Sequence, residues 1–538
     1  MDELIDRRDA IRYNLLLAGL ILVLFLMNFY AKTLFFHPVS THQWRQADCL
    51  SIAKNYYEEG MHFFQPKIHY QGPIAGKAVS ELPILNYTAA ALWKVFGEHE
   101  FIYRLLEYLI YLTGIFMLFN TIGTYLRSWL LAFFAVFFLL TSPLLTYYSL
   151  NFIADVPALS ISIISLCLFF RFYHNQKNYL FYLALFTGTL AVLMKASALM
   201  PLGLLYFFTL LDLTRLNRYA RTRKLFSTWL FPALSVLLSL SLIIGWYRWA
   251  LAYNLNNTNT VFLLTVLPIW EMQEADIIAT FKILCNDLFP VFLNRPMFFL
   301  FFIVVFYIIG NFKNLSAFFK YAFVFSALYF IVYLLFFFQV FTVHDYYLNN
   351  LMIFPVIALM AFADLMVKGG QILPNRAFIR LFLVVTFIFN CFFAAASYRN
   401  KMIEDDVLTQ WYPFISKDER KNAKYYFWDY SNSIRKLEEI RPILRKHGIH
   451  REEQVLCIPD QSFNISLYFM DQKGHCISRE HFLMDSTVTR HFRNKGIRYL
   501  VMSDTTLSLQ PAFRHMNEFV EPFFTSGPVK VWKVKPGF

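Results

Sequence analysis

Charge is scarce in this sequence. Asp, Glu, Lys and Arg together supply 16% of its 538 residues, against about 25% in an ordinary soluble domain, which excludes a water-exposed globular fold of this length. There is no Rossmann-type glycine fingerprint and no P-loop, so no motif is present that would hold a nucleotide by its phosphates. The six cysteines, Cys49, Cys167, Cys285, Cys391, Cys457 and Cys476, show neither C-x-x-C nor Cys–His metal spacing, which argues against a structural zinc site. Cys457 and Cys476 either pair in an oxidising compartment or stay as two free thiols. The N-terminal MDELIDRRDAIRYN precedes its apolar run without a small-residue cleavage site, so that run reads as a retained anchor. No internal repeat of the kind found in transporters built from two related halves is present.

What the chain has instead is apolar length. It is 57% hydrophobic and 19% aromatic, with a mean hydropathy of +0.44, and a chain of that composition belongs in a bilayer. The 62 Phe and 32 Tyr suit lipid-facing helices and interfacial belts and require no cofactor. A formal net charge of +13 would fit a nucleic-acid partner if it formed a patch. The basic residues collect instead in short loops between apolar runs, where they report orientation, so no nucleic acid is expected.

A crossing helix takes about 20 apolar residues. Candidate runs lie near 14–34, 102–126, 129–147, 157–173, 225–250, 296–311, 318–341, 347–367 and 378–397. The stretch from Tyr179 to Leu213 is too long for one crossing and short for two. Charge decides its form. Arg7, Arg8 and Arg12 place the N-terminus in the cytoplasm, and Arg171 with Lys177 on one flank and Arg215, Arg218, Arg221, Arg223 and Lys224 on the other both belong inside. The stretch is therefore a hairpin of two short helices turning near Lys195. The count becomes eleven, Lys313, Lys320, Lys368, Arg376 and Arg380 also fall inside, and the C-terminus falls outside.

The expected architecture is a polytopic α-helical membrane protein of about eleven transmembrane helices in the inner (plasma) membrane. A large first extracytoplasmic loop from Phe35 to Glu100 carries amphipathic helices. A short loop before Pro157 and a loop from Leu251 to Arg295 share that side. The tail forms a small C-terminal α/β soluble domain, with a helix in SNSIRKLEEIRPILRKH and strands in EQVLCIPD, GIRYLVMSD and VKVWKVK. The division is a membrane part, residues 1–397, and an extracytoplasmic part, 398–538.

In the first loop, Ser40 and Gln43 fit a capping box opening a helix that Gly60 would stop. Arg45 and Asp48 share one face of it, either as a surface ion pair between the interfacial anchors Trp44, Tyr56 and Tyr57 or as functional groups. Glu81 precedes a second helix in ELPILNYTAAALWKVFG, where it either complements the helix N-terminus or serves a site. Asp155 reads as an N-cap of the fourth span, a role compatible with function. Lys195, between short apolar helices, must snorkel or meet an anion. His344, Asp345, Tyr346 and Tyr347 stand together at the outer end of the ninth span, where an aromatic belt accounts for the tyrosines but not for the adjacent His and Asp.

Topology puts these groups on one side of the membrane. Carboxylates and cations over a bilayer surface suit a sugar attached to a lipid phosphate. That leaving group needs charge stabilisation rather than protonation, so one carboxylate takes the acceptor proton while Lys195 or Arg45 neutralises the phosphate. The rival reading is a transporter or flippase for a lipid-linked glycan, which should carry its ionisable residues near mid-bilayer on broken helices.

Four stretches, HQWRQAD, SLNFIADVPALS, GTLAVLMKASALMP and HDYYLNNLMIFP, together resemble the C-type glycosyltransferase superfamily, in particular its dolichyl-phosphate-mannose protein mannosyltransferase and aminoarabinose transferase-like branch. The resemblance runs over about residues 10–397. It implies a polyprenyl- or dolichyl-phosphate sugar donor, a protein, lipid or glycan acceptor, and inversion at the anomeric carbon. It also implies Asp48 as base, Asp155 as a second acid of the same cavity, Lys195 facing the donor phosphate, and Tyr346 and Tyr347 lining the cavity, with His42 falling in the first motif. Many relatives carry adjacent Asp-Glu in the first loop, whereas here Cys49 follows Asp48. A divalent cation at Asp48 and Asp155 is thereby left as an option used by some superfamily members.

Overall fold

A computed structural model describes residues 2–72, 75–257, 261–262, 265–369, 377–413, 415–484, 495–514 and 516–536. Each apolar run picked out above contains a helix, that of the run 225–250 beginning at Leu230, and the breaks fall where the sequence punctuates. The run at 14–34 breaks after Met27, where Phe29 takes a left-handed conformation, and resumes as a short helix over Tyr30–Thr33. That at 129–147 splits at Thr141. There Ser142 accepts from the Leu145 N–H and Pro143 opens a new turn, a serine N-cap followed by proline at the first helical position.

Among the described residues, seven helices are long and apolar enough to cross a membrane, or eight if the pair Glu274–Phe292 and Arg295–Gly310, bent by 89°, is one span. Three shorter apolar helices, Trp129–Leu140, Asn178–Met194 and Met200–Leu213, accompany them. The chain is a multi-pass membrane protein. The expected loop from Leu251 to Arg295 needs correction, since much of it is helical. The preceding helix runs on to Asn256, and Glu274–Ile283 continues through a π-turn into Phe289–Phe292. Residues 258–260 and 263–264 of the same loop lie outside the described set.

The stretch 179–213 is two helices lying against each other, and glycine permits it. A methyl added at Gly188 would come within 3.0 Å of Leu202 and 2.8 Å of the Ser165 hydroxyl, so the glycine lets these side chains and the returning helix pack closely without shifting. Lys195 occupies the turn in extended backbone. The ends of the bundle differ in chemistry. At one end the basic loops meet: Gln176 donates to the Lys224 carbonyl, Arg223 to the His174 carbonyl, and Tyr321 to the Ala220 carbonyl. At the other end lie the first loop, Lys195 and the residues around His344.

The tail packs onto that second end. Its sheet has five strands in the order β2-β1-β3-β5-β4, with β1 (Val455–Ile458), β2 (Gly474–Cys476) and β3 (Tyr499–Met502) parallel and β4 (Val520–Ser526) and β5 (Val529–Val534) antiparallel. The three strands read from sequence are β1, β3 and β5. The short β2, and β4 with its mixed composition, gave no alternation to find. Cys457 and Cys476 are neighbours across β1 and β2 and are free thiols.

The first loop adds to this sheet. Tyr70 pairs in parallel with Gly474, the Gln71 N–H donates to the Gly474 carbonyl at 2.8 Å, and a side chain at Gly474 would collide with the Val455 carbonyl at 2.0 Å. Beside that junction Asp471 collects the cations Arg441 at 3.1 Å, Arg451 at 3.2 Å and Lys54 at 3.8 Å, with the His69 ring at 3.4 Å, so one tail carboxylate compensates cations from both parts. Replacing Asp471 by Asn should cost about 3 kcal/mol, the low end for a broken buried pair because Arg441 is half exposed. A lowered unfolding temperature in detergent, with earlier proteolysis of the tail, is the expected result. Unchanged protease resistance would show that this cluster does not hold the two parts together.

Candidate active site

The helix Gln43–Glu59 presents the first group. It has no capping box. His42 is its N-cap in a left-handed conformation and its side chain makes no capping bond to the helix, while Gly60 ends it as expected. It is not a surface helix either, since Gln46 through Tyr56 are buried and the Tyr56 hydroxyl donates to the Phe63 carbonyl. The chain from the second end of the bundle folds back over it, which sequence spacing does not reveal.

Arg45 does not pair with Asp48 but with Glu81, its Nη2 lying 2.7 Å from Oε2 and 3.0 Å from the Ser80 hydroxyl. The other Glu81 oxygen accepts from Lys195 Nζ at 2.9 Å, and Lys195 also lies 3.3 Å from Asp155 Oδ2. The result is a chain of alternating charge, Arg45, Glu81, Lys195 and Asp155. Glu81 thus meets two cations rather than a helix N-terminus, and Lys195 meets anions rather than snorkelling. Asp155 is not an N-cap. Ala154 precedes the helix, and Asp155 is in its first turn with no capping bond.

Electrostatics follow from this packing. Burial works against the Glu81 charge, but Lys195 and Arg45 hold its carboxyl well below the usual range. Burial likewise works against the Lys195 ammonium, which Asp155 and Glu81 hold above the usual lysine range. Asp48 differs. It stands outside the chain of pairs, and burial pushes its carboxyl up to about 7, against the pull of Arg45 and a hydrogen bond from Asn464. Burial, with His42 nearby, takes His344 down to about 4.

A cavity of about 390 Å³ joins these groups. Arg45, Asp48, Glu81, Lys195, His344, Tyr346 and Tyr347 all line it, with Phe262, Val340 and Phe463 among its apolar walls. The Lys195 ammonium lies 5.4 Å and 5.2 Å from the Tyr346 and Tyr347 rings. Asp155 sits behind Lys195, 1% exposed. His42 and Asp345 line a different, larger cavity of about 640 Å³, which also has Thr342 and Val343 in its wall and therefore adjoins the first. There His42 Nε2 is 3.1 Å from Asp345 Oδ1, and Asp345 also binds the Tyr148 hydroxyl, with Lys401 at 3.9 Å.

These residues do not suit a metal ion. Among the described residues, no group of three or more His, Cys, Asp or Glu side chains is arranged to hold one. Lys195 already supplies the positive charge that Glu81 and Asp155 need. Asp48 has Asn464, not a second carboxylate, as its hydrogen-bonding neighbour.

Several residues escaped the sequence. Asn464, Tyr148, Lys401, Phe262 and Phe463 reach the site only through tertiary folding. Arg104 and Glu107 did carry a signal, being two charges inside an apolar run. Both are fully buried, Arg104 donating to the Thr33 carbonyl and stacking on Phe152, Glu107 without a hydrogen-bond partner among the described residues.

Comparison with known proteins gives the following. The family model described as dolichyl-phosphate-mannose-protein mannosyltransferase matches residues 80–249, a range that contains Glu81, Asp155 and Lys195 but not Asp48. No curated protein matches the chain. Among solved structures, ArnT from Cupriavidus metallidurans bound to undecaprenyl phosphate is 13% identical, with a TM-score of 0.59 over 97% of this chain and 98% of that one. The Archaeoglobus fulgidus oligosaccharyltransferase, in a complex with zinc and sulfate, is 12% identical with a TM-score of 0.52, covering 96% of this chain and 72% of that one. Arabinofuranosyltransferase AftD from Mycobacteria is 12% identical with a TM-score of 0.51, over 97% of this chain and 40% of that one.

Proposed function

Starting from a chain that has the fold of the C-type glycosyltransferases, we propose that it transfers a sugar from a polyprenyl-phosphate carrier to an acceptor on the extracytoplasmic face of the inner membrane. The observation that carries this reading is the single cavity in which Asp48, outside the ion-pair chain, faces the paired cations Arg45 and Lys195. The membrane part, residues 1–397, supplies the charged groups of the site, and the tail, 398–538, closes over them with Phe463 in the cavity wall. Eleven crossings, with the N-terminus inside, put the basic loops in the cytoplasm and the cavity outside.

In the proposed reaction the acceptor hydroxyl gives its proton to Asp48 as its oxygen attacks the anomeric carbon. The bond from that carbon to the phosphate oxygen breaks, and its electron pair leaves with the polyprenyl phosphate. One displacement inverts the anomeric centre. Arg45 suits the leaving phosphate because, among the described residues, its hydrogen bonds to Ser80 and Glu81 use Nη2 alone and leave Nε and Nη1 for a ligand. Lys195 adds positive charge from the same wall. The donor occupies the 390 Å³ cavity with its prenyl chain running between helices, and the acceptor, a protein, lipid or glycan, approaches by the adjoining 640 Å³ cavity.

A base works only when unprotonated, so kcat/KM should fall about tenfold per unit as pH drops below the Asp48 value of about 7 and level off above it. His344, neutral through this range, adds no limb there. The pH profile from 5 to 9, with the anomeric configuration of the product read by NMR, tests the reading. A flat acid side, or retention of configuration, contradicts it.

A further inference from the structure

The Asp48 carboxylate has one hydrogen-bonding neighbour among the described residues, and it comes from the tail. Asn464 Nδ2 donates to Asp48 Oδ1 at 2.9 Å across 416 residues of sequence. The amide orientation is determined by its other side. The Tyr70 backbone N–H can only donate, and it does so to Asn464 Oδ1 at 3.0 Å, which turns the amide nitrogen toward Asp48. Asn464 is fully buried.

The segment that delivers it is held by its own bonds. Asp460 accepts from the Ser462 N–H at 2.7 Å and the Ser466 N–H at 2.9 Å, and the Ser462 hydroxyl accepts from the Ile465 N–H at 3.0 Å. This loop leaves the carboxyl end of β1, between β2 and β3, where connections diverge to either side and open α/β sheets present loops to ligands. Phe463, next in the chain, is in the cavity wall beside Asp48.

Resting on the assignment of Asp48 as base, we propose that Asn464 is a positioning residue: the tail completes the site by fixing one oxygen of the base and leaving the other for the acceptor proton. The bond also favours the charged carboxylate, so losing it should move the acid limb of the profile to higher pH.

Asn464→Asp separates this role from simple docking. Its side chain still offers an oxygen to the Tyr70 N–H but turns a second oxygen on Asp48. In the full-length protein, Asn464→Asp and Asn464→Ala should lower kcat by about 10- to 100-fold, the effect of losing one hydrogen bond to a charged group. Donor KM should change less than about twofold, and the acid limb should rise by about one unit. Tail protease resistance in Asn464→Asp should match the parent. An Asn464→Asp profile that superimposes on the parent, or activity lost only together with protease resistance, overturns the proposal. Full activity in Asp48→Asn would instead sink the base assignment, whereas an inactive Asp48→Asn with an unshifted Asn464→Asp profile sinks only the role of Asn464.

Discussion

Asp48→Asn should reduce sugar transfer by about 10²- to 10⁴-fold, the usual worth of a positioned general base, with membrane insertion and unfolding temperature unchanged. The amide has the volume of the carboxyl and still receives the Asn464 amide on its oxygen, so the packing around it is preserved. It removes only the ability to take a proton. Asp48 is outside the ion-pair chain, and deleting its charge strands no buried cation, because Arg45 keeps Glu81. Transfer rates with purified protein, alongside thermal unfolding, read both effects. Full activity in this variant would remove Asp48 as base.

Lys195→Met should show the opposite profile, losing stability and transfer together. The ammonium lies between Glu81 at 2.9 Å and Asp155 at 3.3 Å, and the Asp155 side chain is 1% exposed. Taking one partner from a buried ion pair costs about 3–5 kcal/mol, because the remaining charge is left without compensation. Transfer should fall by about 10²- to 10³-fold, as it does when one group that stabilises a developing anion is removed. Adding Asp155→Asn removes the stranded carboxylate, so Lys195→Met/Asp155→Asn should regain most of the unfolding temperature and none of the transfer. Recovery of both would make Lys195 a structural partner of Asp155 alone and leave the phosphate to Arg45.

The helices were legible because lipid demands long apolar runs, and the hairpin at Lys195 was legible because charge on both flanks demanded an even number of crossings. Gly188 then shows how the two short helices meet. Arg45, Glu81, Lys195, His344, Tyr346 and Tyr347, which line the smaller cavity with Asp48, were also visible, each as a charge or ring set against an apolar background.

What sequence could not give was partnership. Arg45 and Asp48 share a helix face, yet Arg45 turns to Glu81, 36 residues away, and Asp48 to Asn464. Local spacing describes neighbours along one helix, and these partners come from other elements. The supposed cap at Ser40 failed for a similar reason. Ser40 and His42 both adopt positive φ, so the chain turns before the helix begins and Ser40 lies outside the capping position. Asp345 looks like a member of one constellation with His344, but a single residue step along the chain turns it into the larger cavity, where it meets His42, Tyr148 and Lys401.

Transfer and translocation make different demands on the bilayer, and that difference gives the most direct measurement. Purified protein in detergent, supplied with labelled polyprenyl-phosphate sugars and an acceptor extract, should release polyprenyl phosphate and form labelled product, and Asp48→Asn should do neither. The contradicting result is no release in detergent from a protein that moves the intact lipid-linked sugar across sealed vesicles.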